Sequence, residues 1–227
     1  MSLFADLMKI WRKEGLLFQA WEESLKMLEL SHNMFNKAVK KSKRQESLSV
    51  LKKLKNRDKE INSYQREVRR KIVTHFALEK NTHDVTSLMV LINMIVDIER
   101  IGDYSKNILD LAINYPDTLN TKNLHDDLYD IEKAVKERFD HTIVAVKTQD
   151  IEMARGLLSG FKEHVTGASD RIVNSIIAGE LEFQTGSEAA AVALYARYLK
   201  RVGSHLKNIT TTIVNPIDTI GYKVKKN

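Results

Sequence analysis

Cysteine is absent from all 227 residues. Its absence excludes a disulfide framework, a Cys-ligated zinc or iron–sulfur centre, and thiol catalysis. Proline occurs only twice and glycine nine times. All-β and βαβ folds need a turn about every ten residues, so this scarcity of punctuation points to long helices. Long hydrophobic runs are also missing. The longest, Val85 to Val96, is interrupted by Ser87 and Asn93 and is too short for a bilayer. Met1 to Leu7 leads into charged residues rather than an apolar segment with a small-residue cleavage site. That predicts no export signal and a cytoplasmic location. There is no glycine-rich phosphate loop, dinucleotide fingerprint or Ser–His–Asp pattern. Nothing marks an enzyme, and none is expected.

What is present begins with an internal repeat. Ile98-Glu99-Arg100-Ile101-Gly102-Asp103-Tyr104-Ser105-Lys106-Asn107-Ile108 matches Leu199-Lys200-Arg201-Val202-Gly203-Ser204-His205-Leu206-Lys207-Asn208-Ile209. Arg, Gly, Lys, Asn and Ile are identical at matched places. The two prolines, Pro116 and Pro216, follow the two copies. Proline just past a helix stops it, because it lacks an amide hydrogen and pushes its predecessor out of helical geometry. Each half then reads as three helices, 16–44, 46–79 and 83–114, followed by 124–148, 150–180 and 186–214. Leu88, Leu91, Ile92, Ile95, Ile98, Gly102, Leu109 and Ile113 form one stripe of the third helix. Thr82 or His83-Asp84 opens that helix, and Thr185 to Glu188 opens its counterpart. The second helices align more loosely, Ile61 to Ile72 against Val165 to Ile176. Glycine in a helix interior costs about 1 kcal/mol relative to alanine, so Gly102 and Gly203 predict close helix–helix approach. The expected architecture is all-α: two pseudo-repeated antiparallel three-helix bundles, 16–115 and 124–216. A leading segment 1–15, amphipathic through Leu3, Phe4, Leu7 and Trp11, precedes them, 115–123 links them, and a basic tail, 217–227, follows.

Glu99 and Asp103 lie one turn apart on one helix face. On an exposed helix such a pair is simply a solvated acidic face. Here Glu99 borders the apolar stripe, where an unpaired carboxylate is costly. Its row offers oxygen and amide groups, Asn107 and Asp110, and is expected to hold no lysine or arginine that neutralises both acids. A hard cation such as magnesium, manganese or iron would do so. Further ligands would come from Asp58, Glu22, Glu23 or Glu29 on facing helices. In the second half Lys200 replaces Glu99, Ser204 replaces Asp103 and Lys162 replaces Asp58. Glu29 and His32 have the E-x-x-H spacing of di-iron bundles. No second copy exists, since Glu137 and His141 are four apart, and a stray match is the expectation.

Net charge is +6, but unevenly spread: +9 over 1–80, −4 over 81–120, −4 over 121–186 and +5 over 187–227. The basic region from Lys40 to Lys59 lacks interleaved aromatics and a helix-turn-helix. It suits a hairpin tip or a patch for an acidic or membrane-side partner better than nucleic acid.

The string Ile98 to Asp103 followed by Asn107-Ile108 resembles the PhoU family of phosphate-uptake regulators, whose motif is an acid-x-x-x-Asp pair on the third helix of a twice-present three-helix repeat. The resemblance implies a metal ion or multinuclear cluster (iron, or zinc, manganese or magnesium) held by Glu99, Asp103 and Asp58. It implies a cytoplasmic adaptor acting on phosphate transporter subunits and a phosphate-responsive sensor kinase. A homodimer is compatible with it; nucleic acid is not expected, and the membrane enters only through those partners. The alternatives are a metal-free helical interaction module and a di-iron or metal-storage bundle.

Overall fold

The computed structural model describes residues 15–79, 85–115, 117–119 and 126–222. The helices are α1 (Leu16–Ser42), α2 (Leu48–Lys55), α3 (Asp58–Glu79), α4 (Val85–Asn114), α5 (Asp126–Thr148), α6 (Ile151–Leu158), α7 (Ala168–Ile177) and α8 (Gly186–Val214). A π-helical turn, Lys162–Gly167, leads into α7, and a 3-10 turn, Ile217–Thr219, follows α8. No strand occurs among the described residues. Residues 1–14 of the leading segment, the residues expected to open α4, Pro116 and the tail beyond Tyr222 lie outside them.

The sequence explains these elements. On α1, Leu17, Ala20, Trp21, Ser24, Met27, Leu28, Ser31, Met34, Phe35, Ala38 and Val39 are all buried. Their three- and four-residue spacing makes one core-facing stripe. The Thr185 hydroxyl caps α8 by accepting from the Glu188 amide at 3.1 Å, and the Glu188 carboxylate accepts from the Gln184 amide at 2.9 Å. Asn215 is extended ahead of Pro216, which closes α8.

Both second helices differ from expectation, since each is broken. Between α2 and α3 the chain turns at Asn56-Arg57, where the Asn56 amide bonds back to Lys52 and Leu54. Asp58 then becomes a helix-start residue, with its carboxylate at the positive end of the helix dipole. In the second half Gly160 takes φ +65°, a left-handed conformation that ends α6. Arg138 supports this break by donating to the carbonyls of Leu157 and Ser159.

α1, α3 and α4 pack together, as do α5, α7 and α8, and α4 also lies along α8. One contiguous apolar cluster runs through both groups. Because α4 is covered from several sides, Met94, Ile101, Ile108 and Ser105 are buried along with the expected stripe. Ile92, expected in that stripe, is 39% exposed.

Repeat-related contacts recur across the molecule. A Cβ on Gly102 would stand 2.8 Å from Ile61 Cδ1, and one on Gly203 would stand 3.0 Å from Val165 Cγ1. Both glycines therefore permit the expected close approach, and they do so against residues paired by the looser alignment. Gln65 donates to the Ile95 carbonyl (3.5 Å) and Ser169 to that of Ala196 (2.9 Å), again matched positions. Where α4 meets α8, Asp97 faces His205 and Tyr104 faces Tyr198, which are exchanged copies of one contact. Tyr104 stacks on its own counterpart, His205, with centroids 5.7 Å apart. Such reciprocity is the mark of a twofold relation.

Candidate functional site

The repeat motif and the α2–α3 break bring three acids together. Glu99 and Asp103 project from successive turns of α4, while Asp58 starts α3. Gly102, lying between the two α4 acids, lets α3 come close, for a Cβ there would stand 3.6 Å from Asp58 Oδ1. Asp58 is buried at 7% exposure. Its Oδ2 accepts from Asn62 and from Lys106 Nζ, each at 3.1 Å. Its Oδ1 is buried with no hydrogen-bond partner.

The expectation that no lysine or arginine neutralises the acids is corrected. Lys106 Nζ lies 3.1 Å from Asp58 Oδ2 and 3.2 Å from Asp103 Oδ1, bridging two helices. Arg100 pairs with Asp103 at 2.9 Å and approaches Glu99 at 3.6 Å. Both cations sit three residues from Asp103, a neighbouring position on a helix that a search along the four-residue row misses. Glu99 is largely covered, and its carboxyl titrates above the usual range because burial disfavours its charged form and the charges of Asp103 and Asp58 add to that effect. Burial works against the Lys106 ammonium, yet hydrogen bonds to Asp58 and Asp103 outweigh it and hold its pKa up.

Two of the other candidates, Glu23 and Glu29, are engaged elsewhere. Glu23 pairs with Lys71 at 3.0 Å, and Glu29 with Lys147. His32 lies 2.6 Å from Asp140 and 2.8 Å from Asn36, so Glu29 and His32 join α1 to other groups instead of presenting a di-iron half-site. Among the described residues no three histidine or acidic side chains converge at metal-ligating spacing. In the second half Lys200 contacts both oxygens of Asp170, at 2.6 and 2.7 Å, and Arg197 adds a third bond at 3.1 Å.

A buried network was not foreseen. Glu132 of α5 accepts from Lys43 (2.7 Å), Lys136 (2.8 Å) and the Tyr195 hydroxyl (3.0 Å). Burial first, and the Glu132 charge second, push the Tyr195 hydroxyl well above its ordinary pKa, so it remains a donor. Part of the basic region is thus structural: Lys43 serves Glu132, Lys41 serves Glu46 and Lys55 serves Asp110.

Residues 25–112 match the family model of the PhoU domain. The fold resembles the crystal structure of PhoU from Pseudomonas aeruginosa (TM-score 0.71, 18% identity, 89% of this chain and 97% of that one). It likewise resembles the phosphate transport system regulatory protein PhoU from Streptococcus pneumoniae (TM-score 0.70, 17% identity, 87% and 93%). In sequence, an uncharacterized protein of Deinococcus radiodurans is 22% identical over 151 residues, which are 66% of this chain and 55% of that protein. The matched region therefore spans little more than half of that relative. Among the described residues no helix is long and apolar enough to cross a membrane.

Proposed function

We propose that this chain, which carries a PhoU domain over residues 25–112, is a non-enzymatic cytoplasmic regulator of phosphate transport and phosphate-starvation signalling. It would be built on two PhoU-like repeats, 16–115 and 124–216, and would act on transporter subunits and a phosphate-responsive sensor kinase. The observation that carries the reading is the Ile98–Asp103 string, which sits on α4 inside the matched domain, with Asp103 joined to Asp58 through Lys106. Deleting the chain from its host should raise phosphate uptake in phosphate-replete medium. Uptake and starvation-gene expression that stay at the parental level would defeat the proposal.

The reading extends to a metal held by Glu99, Asp103 and Asp58. Three carboxylates favour hard cations and the buried Asp58 Oδ1 lacks a partner, but the three acids do not stand at metal-ligating spacing. A bound metal ion or cluster (iron, zinc, manganese or magnesium) would supply positive charge between α3 and α4. Replacing Glu99 and Asp103 together by alanine should lower bound metal in elemental analysis; unchanged stoichiometry would reject these ligands. A second reading, a metal-free interaction module, is favoured by Lys106 and Arg100, which already neutralise the acids. It predicts no thermal shift on adding Fe, Mn, Zn or Mg.

A further inference from the structure

We propose that the leading segment, residues 1–14, folds back over the apolar end of the first repeat and seats Leu3, Phe4, Leu7 and Trp11 on it. Six large apolar side chains stand exposed at that end. Val73, Phe76 and Leu78 lie on the last turns of α3, and Val85, Met89 and Ile92 on the first turns of α4. They share one end of the molecule because α3 and α4 run antiparallel, Ile61 lying against Gly102 and Gln65 bonding to Ile95. An exposed apolar cluster marks a surface that another element covers. Phe76 continues the buried α3 spacing of Ile61, Gln65, Val68 and Ile72, yet it is 52% exposed. It lies on the core-facing stripe, and among the described residues no helix reaches far enough to cover it.

The start of α1 explains why. Arg57 meets Asn33 at 3.0 Å and Lys71 meets Gln19 at 2.8 Å, so α1 and α3 run antiparallel. Past Lys71, α3 continues to Glu79, whereas α1 reaches back from Gln19 only to Leu16. At about 1.5 Å per residue, α3 overhangs α1 by about 7 Å, more than one turn. Residues 1–14 join α1 at this overhang. Gly15, extended at ψ 154°, breaks them from the α1 axis. As a helix they would span about 21 Å, enough to cross neighbouring helices set about 8–10 Å apart. Leu3, Leu7 and Trp11 recur every four residues and Phe4 joins their face, with Asp6, Lys9 and Lys13 opposite. The repeats differ in the same sense. Val85, Met89 and Ile92 correspond to Gly186, Ala190 and Ala193 in the second, which follows the linker 115–123 instead of an amphipathic segment.

The test places cysteine pairs in the otherwise cysteine-free full chain. Leu7→Cys with Phe76→Cys should oxidise to an intrachain disulfide that runs as a monomer on a non-reducing gel. Leu7→Cys with Leu48→Cys is the control. Leu48 is exposed past the far end of α1, a helix about 40 Å long, and eight extended residues reach only about 28 Å. A second readout needs no disulfide. Phe76→Asp with Met89→Asp should shift Trp11 emission to the red and open it to acrylamide quenching. The same substitutions in a Trp11→Phe chain should leave the emission of the buried Trp21 unchanged. A Leu7–Phe76 cross-link that runs as a dimer and grows with concentration would make a second copy the occupant and defeat the proposal. Cross-linking no faster than the control, or Trp11 emission indifferent to the two aspartates, would overturn it outright.

Discussion

Two glycines at matched positions should respond differently to the same substitution. Alanine in a helix gains about 1 kcal/mol over glycine, against which the crowding of its new methyl group must be set. At Gly102 the tightest neighbour is Ile61 Cδ1, the free end of a flexible side chain. At Gly203 the methyl would meet Val165 Cγ1 at 3.0 Å, Phe161 Cε2 at 3.2 Å and Val135 Cγ2 at 3.5 Å. Valine is stiff about χ1, and overpacking costs about 1–3 kcal/mol. Gly203→Ala should therefore lower stability in urea by about 1 kcal/mol net, with Gly102→Ala near neutral; the reverse order would show that the α3–α4 contact is the tighter one. Glu99 makes a second residue-scale prediction. Its folded-state pKa is raised, so ionising it costs stability as pH rises from the unfolded value, about 4.3, through the higher folded one. Glu99→Gln should stabilise the protein at neutral pH, and the gain should vanish below about pH 4. A gain independent of pH in paired thermal melts would reject the electrostatic cause.

At the scale of elements, Glu132 is where the end of α1, α5 and α8 depend on one another. Replacing it by alanine leaves the buried Tyr195 hydroxyl without its acceptor and strips Lys43 and Lys136 of their anion. Removing one partner of a buried pair costs about 3–5 kcal/mol. Glu132→Gln keeps an acceptor for Tyr195 and should cost clearly less; equal losses in denaturant titrations would mean that packing, not the network, matters at this position. This network had no local signature, because Lys43 and Tyr195 lie 89 and 63 residues from Glu132. The third helices, by contrast, were legible: their period, the Thr185 cap and Pro216 are written within single turns. The α2–α3 break was not, since Asn56-Arg57 contains neither glycine nor proline, whereas Gly160 did offer a signal for the break after α6. Glu99 and Asp103 could be found from their spacing alone. Lys106 is legible in the same way, as a three-residue neighbour of Asp103 on the helix. Asp58 was legible as one of several facing-helix candidates and through the family resemblance, but its place under Gly102 at the start of α3 needed the fold.

Across the whole molecule, the apolar cluster is shared by both three-helix groups and crosses the α4–α8 seam. Shared burial makes unfolding cooperative. Far-UV circular dichroism, which sees every helix, and fluorescence of Trp21, buried in the first group and measured with Trp11 replaced by Phe, should give coincident urea transitions. Separated midpoints would show that the halves are stable on their own. Asp97 Oδ1 meets both His205 Nδ1 at 2.7 Å and Asn208 Nδ2 at 3.0 Å on this seam. Asp97→Ala should weaken the coupling, visible as a lower midpoint by both probes.

That seam also bears on how variation in the chain should be interpreted. The twofold partner of Asp97–His205 is Tyr198–Tyr104, so one copy of the contact is charged and polar and the other aromatic. The two copies of the contact are therefore complementary rather than alike, each side chain fitted to a different neighbour. What position 198 tolerates is therefore no guide to what position 97 tolerates, and a sequence profile that averages the repeats would misjudge both.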